Sequence, residues 1–140
     1  ELVSAGCMGS MPRFVAVQAA GYAPVCTELG APAPVGPVSH LADGIAIADP
    51  PRRMEIVDSV RQTDGFGVVV GDADIRAALA WLAGKGYVVE PTSAVPLAGL
   101  MRAMQNGRVP KGSSVLLPLT GTGMKVLGEL AELVGLEAAR

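Results

Sequence analysis

Two rhythms alternate along the chain. Short unbroken apolar runs, as in strands buried on both faces, give way to stretches in which apolar residues recur every three or four positions, as in helices with one buried stripe. Residues 13–19 are apolar and β-branched and lead through Gly21 into a brief helical stretch ending near Leu29, one strand–helix unit. Residues 30–39 are rich in Pro, Ala and Gly, which predicts a loop or crossing connection. Asp49-Pro50-Pro51 then marks a helix start, because the proline rings preset φ and the aspartate can accept an orphan N–H. Ile56, Val57 and Val60 would form its inward stripe, and Gly65 closes it. Residues 66–70 predict a second strand, and Gly71-Asp72 caps a helix with Ile75, Ala78, Leu79 and Leu82 inward, stopped by Gly84 and Gly86. Residues 87–90 predict a third strand, after which Thr92 or Ser93 caps a helix carrying Leu97, Leu100, Met101 and Met104 inward; Asn106-Gly107 ends that unit. Residues 115–119 predict a fourth strand, and Thr120-Gly121-Thr122-Gly123 leads into a last helix with Leu127, Leu130, Ala131 and Val134 inward.

Strands alternating with helices predict the α/β class, with a mostly parallel sheet covered by helices on both faces, in one domain spanning residues 1–140. In such sheets ligands gather beyond the carboxyl ends of the strands, where helix N-termini present free N–H groups. Two polar clusters occupy that position here, Glu90-Pro91-Thr92-Ser93 and Thr120-Gly121-Thr122-Gly123.

Composition narrows the partners. Half of the 140 residues are hydrophobic, only 17% are charged, and the formal net charge is -2, so there is no basic stripe for nucleic acid or an anionic membrane. The apolar runs fall far short of a membrane span, which takes about 20 residues, and a soluble, cytoplasmic protein is expected. The two cysteines, Cys7 and Cys26, have no second pair to make a zinc spacing and read as buried thiols. Residues 1–5 read as the tail of a helix stopped by Gly6, so the chain is expected to be a fragment that starts inside an element.

The candidate chemistry is sparse. The 120–123 turn offers hydroxyls and a glycine that permits close approach, but a tight turn without a ligand fits the pattern equally well. Lys125 does not follow a glycine at P-loop spacing, so nucleotide binding is not the leading reading. Glu90 follows directly on an apolar run, and a carboxylate that ties a loop or cap is the commoner meaning of that position. His40, the one histidine, sits in the proline-rich stretch, and no serine–histidine–acid set or metal cluster assembles around it.

Four segments in order, Pro12-Arg13-Phe14-Val15-Ala16-Val17-Gln18-Ala19, Ala42-Asp43-Gly44-Ile45, Val89-Glu90-Pro91-Thr92-Ser93-Ala94 and Leu119-Thr120-Gly121-Thr122-Gly123-Met124-Lys125, resemble the threonine synthase group of fold-type-II pyridoxal-phosphate enzymes. The resemblance runs over residues 1–127 and implies the C-terminal part of the large, cofactor-binding domain of a tryptophan synthase β-like fold. It implies pyridoxal 5'-phosphate as cofactor, with the Thr120 hydroxyl on its pyridine nitrogen and Gly121 and Glu90 beside it. Related dehydratases and sulfhydrylases usually carry serine or cysteine where this chain has Thr120. Serine racemase-like members bind a metal through carboxylates beginning where this chain has Gln18, and neither Gln18 nor Tyr22 supplies one, so no metal is expected. The family's Schiff-base lysine and glycine-rich phosphate loop precede the matching region, and Lys85, Lys111 and Lys125 lack that lysine's context. The resemblance thus implies a parent enzyme that converts O-phosphohomoserine to threonine, while this chain alone is expected to be inactive. A sheet edge left open by such a truncation predicts self-association, and the parent is expected to be a homo-oligomer. A dehydratase, a cysteine synthase-like enzyme and a non-catalytic α/β module are the competing readings.

Overall fold

The computed structural model describes residues 1, 3–32 and 36–133. Two strands form its centre, β1 (Val15–Ala19) and β2 (Phe66–Val70), paired in parallel with Val15 opposite Phe66 and Ala19 opposite Val70. Between them lie the short helix α1 (Pro24–Glu28), a 3-10 turn at Asp43–Ile45, and α2 (Arg53–Gln62). After β2 come α3 (Asp72–Gly84), α4 (Pro91–Gln105), a 3-10 turn at Gly123–Val126, and α5 (Leu127–Leu133). The α/β class and the parallel pairing expected from the alternating rhythms are both present.

Strand periodicity sorts the side chains onto two faces. Val17, Ala19, Phe66, Val68 and Val70 turn toward α3 and α4, where they join Ile75, Leu79, Leu82, Ala94 and Leu97 in the main core. Ala16 and Val69 turn the other way, toward the α1 side, and pack with Ala20 and Cys26. On that face the Gln18 side-chain carbonyl accepts the Cys26 backbone N–H at 3.0 Å, and β2 comes so near α1 that a Cβ at Gly67 would stand 3.0 Å from the Cys26 Cα. On the opposite face α4 sits equally close. A Cβ at Gly99 would fall 2.5 and 2.6 Å from the two Val17 methyls, so glycine lets helix and sheet meet without a gap. Asp74, in the first turn of α3, accepts the Gly71 N–H at 2.9 Å and pairs with Arg102 of α4 at 2.9 Å, locking the two helices together at one end.

Several sequence expectations are corrected. Residues 87–90 make no strand: only Val89 is paired, by an isolated antiparallel bridge to Thr122. Residues 115–119 form no ladder, with Leu116 93% exposed: no strand lies beside them among the described residues, and Pro118 has no N–H to give one. Residues 3–6 form a hydrogen-bonded turn rather than a helix. The second helix begins at Arg53, not at the prolines, and Asp49 caps nothing, pairing instead with Arg53 at 3.8 Å. Ile56 lies outside its buried stripe, which is made by Val57 and Val60. Thr92 and Ser93 lie inside α4, whose N-cap is Glu90 with Pro91 at the first helical position. Met104 and Leu127 are exposed rather than core, and Cys7 is exposed while Cys26 is buried. Of the last helix's expected stripe, Leu130 is buried and Val134 lies outside the described residues.

Candidate functional site

The polar clusters at residues 90–93 and 120–123, separate in sequence, are stitched together in space. Gly123 N–H donates to the Val88 carbonyl at 3.0 Å and Glu90 N–H to the Gly121 carbonyl at 3.3 Å, on either side of the Val89–Thr122 bridge. This short antiparallel contact sets the turn directly against the start of α4. Glu90 is extended, with φ -71° and ψ 156°, and its carbonyl accepts the Ser93 N–H at 3.0 Å, which starts the helix and turns Ser93 back toward the turn.

Ser93 joins the two halves. Its Oγ accepts the Gly121 N–H at 2.7 Å and lies 3.2 Å from the Thr120 Oγ1. Ser93 is 1% exposed, whereas Thr120 is an exposed residue, so a buried hydroxyl meets one at the surface. Glu90 is half-buried and its side chain lies over Gly121, where a Cβ would collide with Oε1, Cδ and Cγ of the carboxylate arm. The close approach that glycine permits here is made by the chain's own Glu90. Thr122 Oγ1 accepts the Met124 N–H at 3.4 Å and caps the 3-10 turn that follows.

The structure therefore brings Glu90, Thr120 and Gly121 into one cluster. It adds a neighbour from a third segment, since a Cβ at Gly44 would stand 3.0 Å from the Thr92 Oγ1. The fourth segment, containing β1, lies behind α4 through the Val17–Gly99 contact. Ser93 was legible as a possible helix cap and as a member of the 90–93 polar cluster, but not as a link to the 120–123 turn. Its partners lie 27 and 28 positions further on, a pairing that no local pattern signals.

Other candidates fall outside the cluster. His40 is exposed in its loop, as are Lys85, Lys111 and Lys125, and the Lys85 ammonium sits 5.7 Å from the Trp81 ring centre. Burial pushes the Cys26 thiol up to about 11, with weaker opposing help from the backbone of Val68 and Gln18, so it is an inert packing group rather than a nucleophile. An apolar cleft of about 450 Å³ opens between α3, α4 and the extended segment, walled by Trp81, Tyr87, Leu97, Met104, Leu117 and Leu119. No helix among the described residues is long and apolar enough to cross a membrane.

Residues 3–121 match a family model described as pyridoxal-phosphate dependent enzyme. The chain is 37% identical over 124 residues to a threonine synthase of Mycobacterium tuberculosis strain H37Rv, covering 86% of this chain and 32% of that protein. It is 36% identical over 119 residues to a threonine synthase of Synechocystis, covering 82% and 29%, and 28% identical over 130 residues to one of Methanocaldococcus jannaschii, covering 89% and 32%. A crystal structure of a T.th. threonine deaminase superimposes with a TM-score of 0.49 at 20% identity, over 84% of this chain and 56% of that one. The chain spans about a third of the length of the curated relatives it matches.

Proposed function

This chain belongs to the pyridoxal-phosphate dependent enzyme family, and on that premise we propose that it supplies the pyridine-side wall of the cofactor pocket in a cytoplasmic enzyme of threonine biosynthesis. The observation that carries this reading is the exposed Thr120, whose hydroxyl lies within hydrogen-bond reach of the buried Ser93. The residues fit the group: a neutral hydroxyl on an exposed threonine, fixed by a buried serine, suits an aromatic nitrogen, which takes one hydrogen bond. When bound, pyridoxal 5'-phosphate supplies an electron sink for the bonds around an amino-acid α-carbon. Thr120 tunes that sink, because a hydroxyl leaves the ring nitrogen largely unprotonated where a carboxylate would hold a proton on it. Glu90 and Gly121 act by shape. The carboxylate arm lies over the glycine and holds the 120–123 turn against α4, which fixes the height of Thr120.

One neutral hydrogen bond contributes about 1 kcal/mol, enough to orient a ring but not to retain it. The reactive lysine and the phosphate cradle therefore come, in this reading, from residues outside these 140. The substrate class is an amino acid with a phosphorylated side chain, O-phosphohomoserine, converted to threonine by a lyase, and the working enzyme is a homo-oligomer. Similarity to relatives named threonine synthase at 36–37% identity supports this substrate over the alternatives. The test is the full-length protein incubated with O-phosphohomoserine. Phosphate release with formation of threonine is expected, slowed about five-fold or more in Thr120→Val, the equivalent of one neutral hydrogen bond. Turnover of serine or threonine alone, as by a dehydratase, would overturn the synthase assignment.

A further inference from the structure

We infer that Ser93 is a positioning residue that fixes the direction of the Thr120 proton, holding that hydroxyl as a donor to the ring nitrogen; the inference rests on the reading of Thr120 above. The Gly121 N–H can only donate, and it donates to Ser93 Oγ at 2.7 Å. Ser93 Oγ then has one proton to place. It is 1% exposed, and among the described residues the one other hydrogen-bonding partner of its hydroxyl is Thr120 Oγ1, at 3.2 Å.

Two arrangements are possible. If Thr120 donated to Ser93, Ser93 would accept twice and its own proton would be buried without an acceptor, which carries the desolvation penalty of an unmade hydrogen bond. If Ser93 donates to Thr120, every group is satisfied, and the Thr120 proton is left to point into the open side. The second arrangement wins, and it runs in one sense from Gly121 N–H to Ser93 O–H to Thr120 O–H. Each bond in such a chain polarises the next, so the outermost hydroxyl becomes a better donor. A hydroxyl locked as a donor meets an unprotonated aromatic nitrogen and repels a protonated one. The same arrangement explains why a buried serine stands one turn into α4, where Thr92 beside it reaches no hydrogen-bond partner of this kind among the described residues.

The test compares Ser93→Ala, Ser93→Thr and Thr120→Val in the full-length protein loaded with pyridoxal 5'-phosphate labelled with ¹⁵N in the ring, reading the ¹⁵N shift against pH. A second reading uses the unloaded protein, in which exchange of the Gly121 amide reports the first bond directly and exchange of the paired β1 and β2 amides shows whether each variant is folded. The wild-type ring nitrogen is expected to stay unprotonated across the neutral range. In Ser93→Ala, Thr120 is free to turn and accept, so the nitrogen takes up a proton at higher pH than in wild type, and the Gly121 amide exchanges faster. Ser93→Thr, which keeps the hydroxyl, restores the wild-type titration. A Ser93→Ala titration identical to wild type, with Thr120→Val shifted, overturns the role of Ser93 and leaves Thr120 in place. If Thr120→Val is also identical to wild type, the reading of Thr120 itself fails.

Discussion

β2 and residues 115–119 are near twins in composition and opposites in outcome. Phe66-Gly67-Val68-Val69-Val70 is buried at all five positions, with β1 at one edge, α1 on one face and α4 on the other. Val115-Leu116-Leu117-Pro118-Leu119 is as apolar, yet Leu116 is 93% exposed, Val115 48% and Leu119 40%, and only Leu117 packs partly against the core. The difference lies in neighbours and in Pro118, which has no N–H to give a ladder. Hydrophobicity makes a segment able to be a strand, and a paired edge with a covered face makes it one.

Core truncation gives the sharpest contrast. Ile75 is fully buried in the main core, and Ile75→Ala is expected to cost about 3–4 kcal/mol through lost contacts and a residual cavity, measured by urea unfolding. A cost below about 1 kcal/mol would mean that this half is loosely packed. Gly99→Ala forces a methyl onto Val17 and should cost about 2 kcal/mol by overpacking; a neutral result would separate α4 from β1.

The cysteines divide along the same line. Burial raises the Cys26 thiol from its ordinary 9.0 to about 11, so between those values the unfolded chain has shed a proton that the native chain keeps. Stability therefore falls as pH rises from about 9 to 11, by on the order of 2 kcal/mol, and this slope disappears in Cys26→Ala. In the native protein at neutral pH, iodoacetamide should label exposed Cys7 and leave Cys26 untouched; equal labelling would contradict the burial of α1 against β2. The smallest effect belongs to the other region. Leu116→Ala should change stability by less than about 0.5 kcal/mol, and a larger loss would show that the segment is covered in solution.

These contrasts also mark what the sequence could disclose. β1, β2 and the Ile75, Ala78, Leu79, Leu82 stripe were legible because each depends on a local period of two or of 3.6. The strand expected at 87–90 was not separable from a real one, because the deciding factor, a partner beside it, lies outside any local window; at 115–119 Pro118 was a local signal against pairing. Thr120, Gly121 and Glu90 were legible as candidates through resemblance. Their meeting was not, since it depends on Ser93 reaching 27 residues along the chain. The prolines at 50 and 51 misled by marking a turn that precedes the helix rather than its first turn.

The central claim is that Thr120 faces the cofactor ring while the extended segment beside it does not. Its most direct test is a titration of the full-length protein with pyridoxal 5'-phosphate, followed by the absorbance of the bound cofactor, in wild type, Thr120→Val and Leu116→Ala. The account predicts a shifted band and about five-fold weaker binding in Thr120→Val, with Leu116→Ala matching wild type. A Thr120→Val protein that binds with the wild-type band and affinity would contradict it.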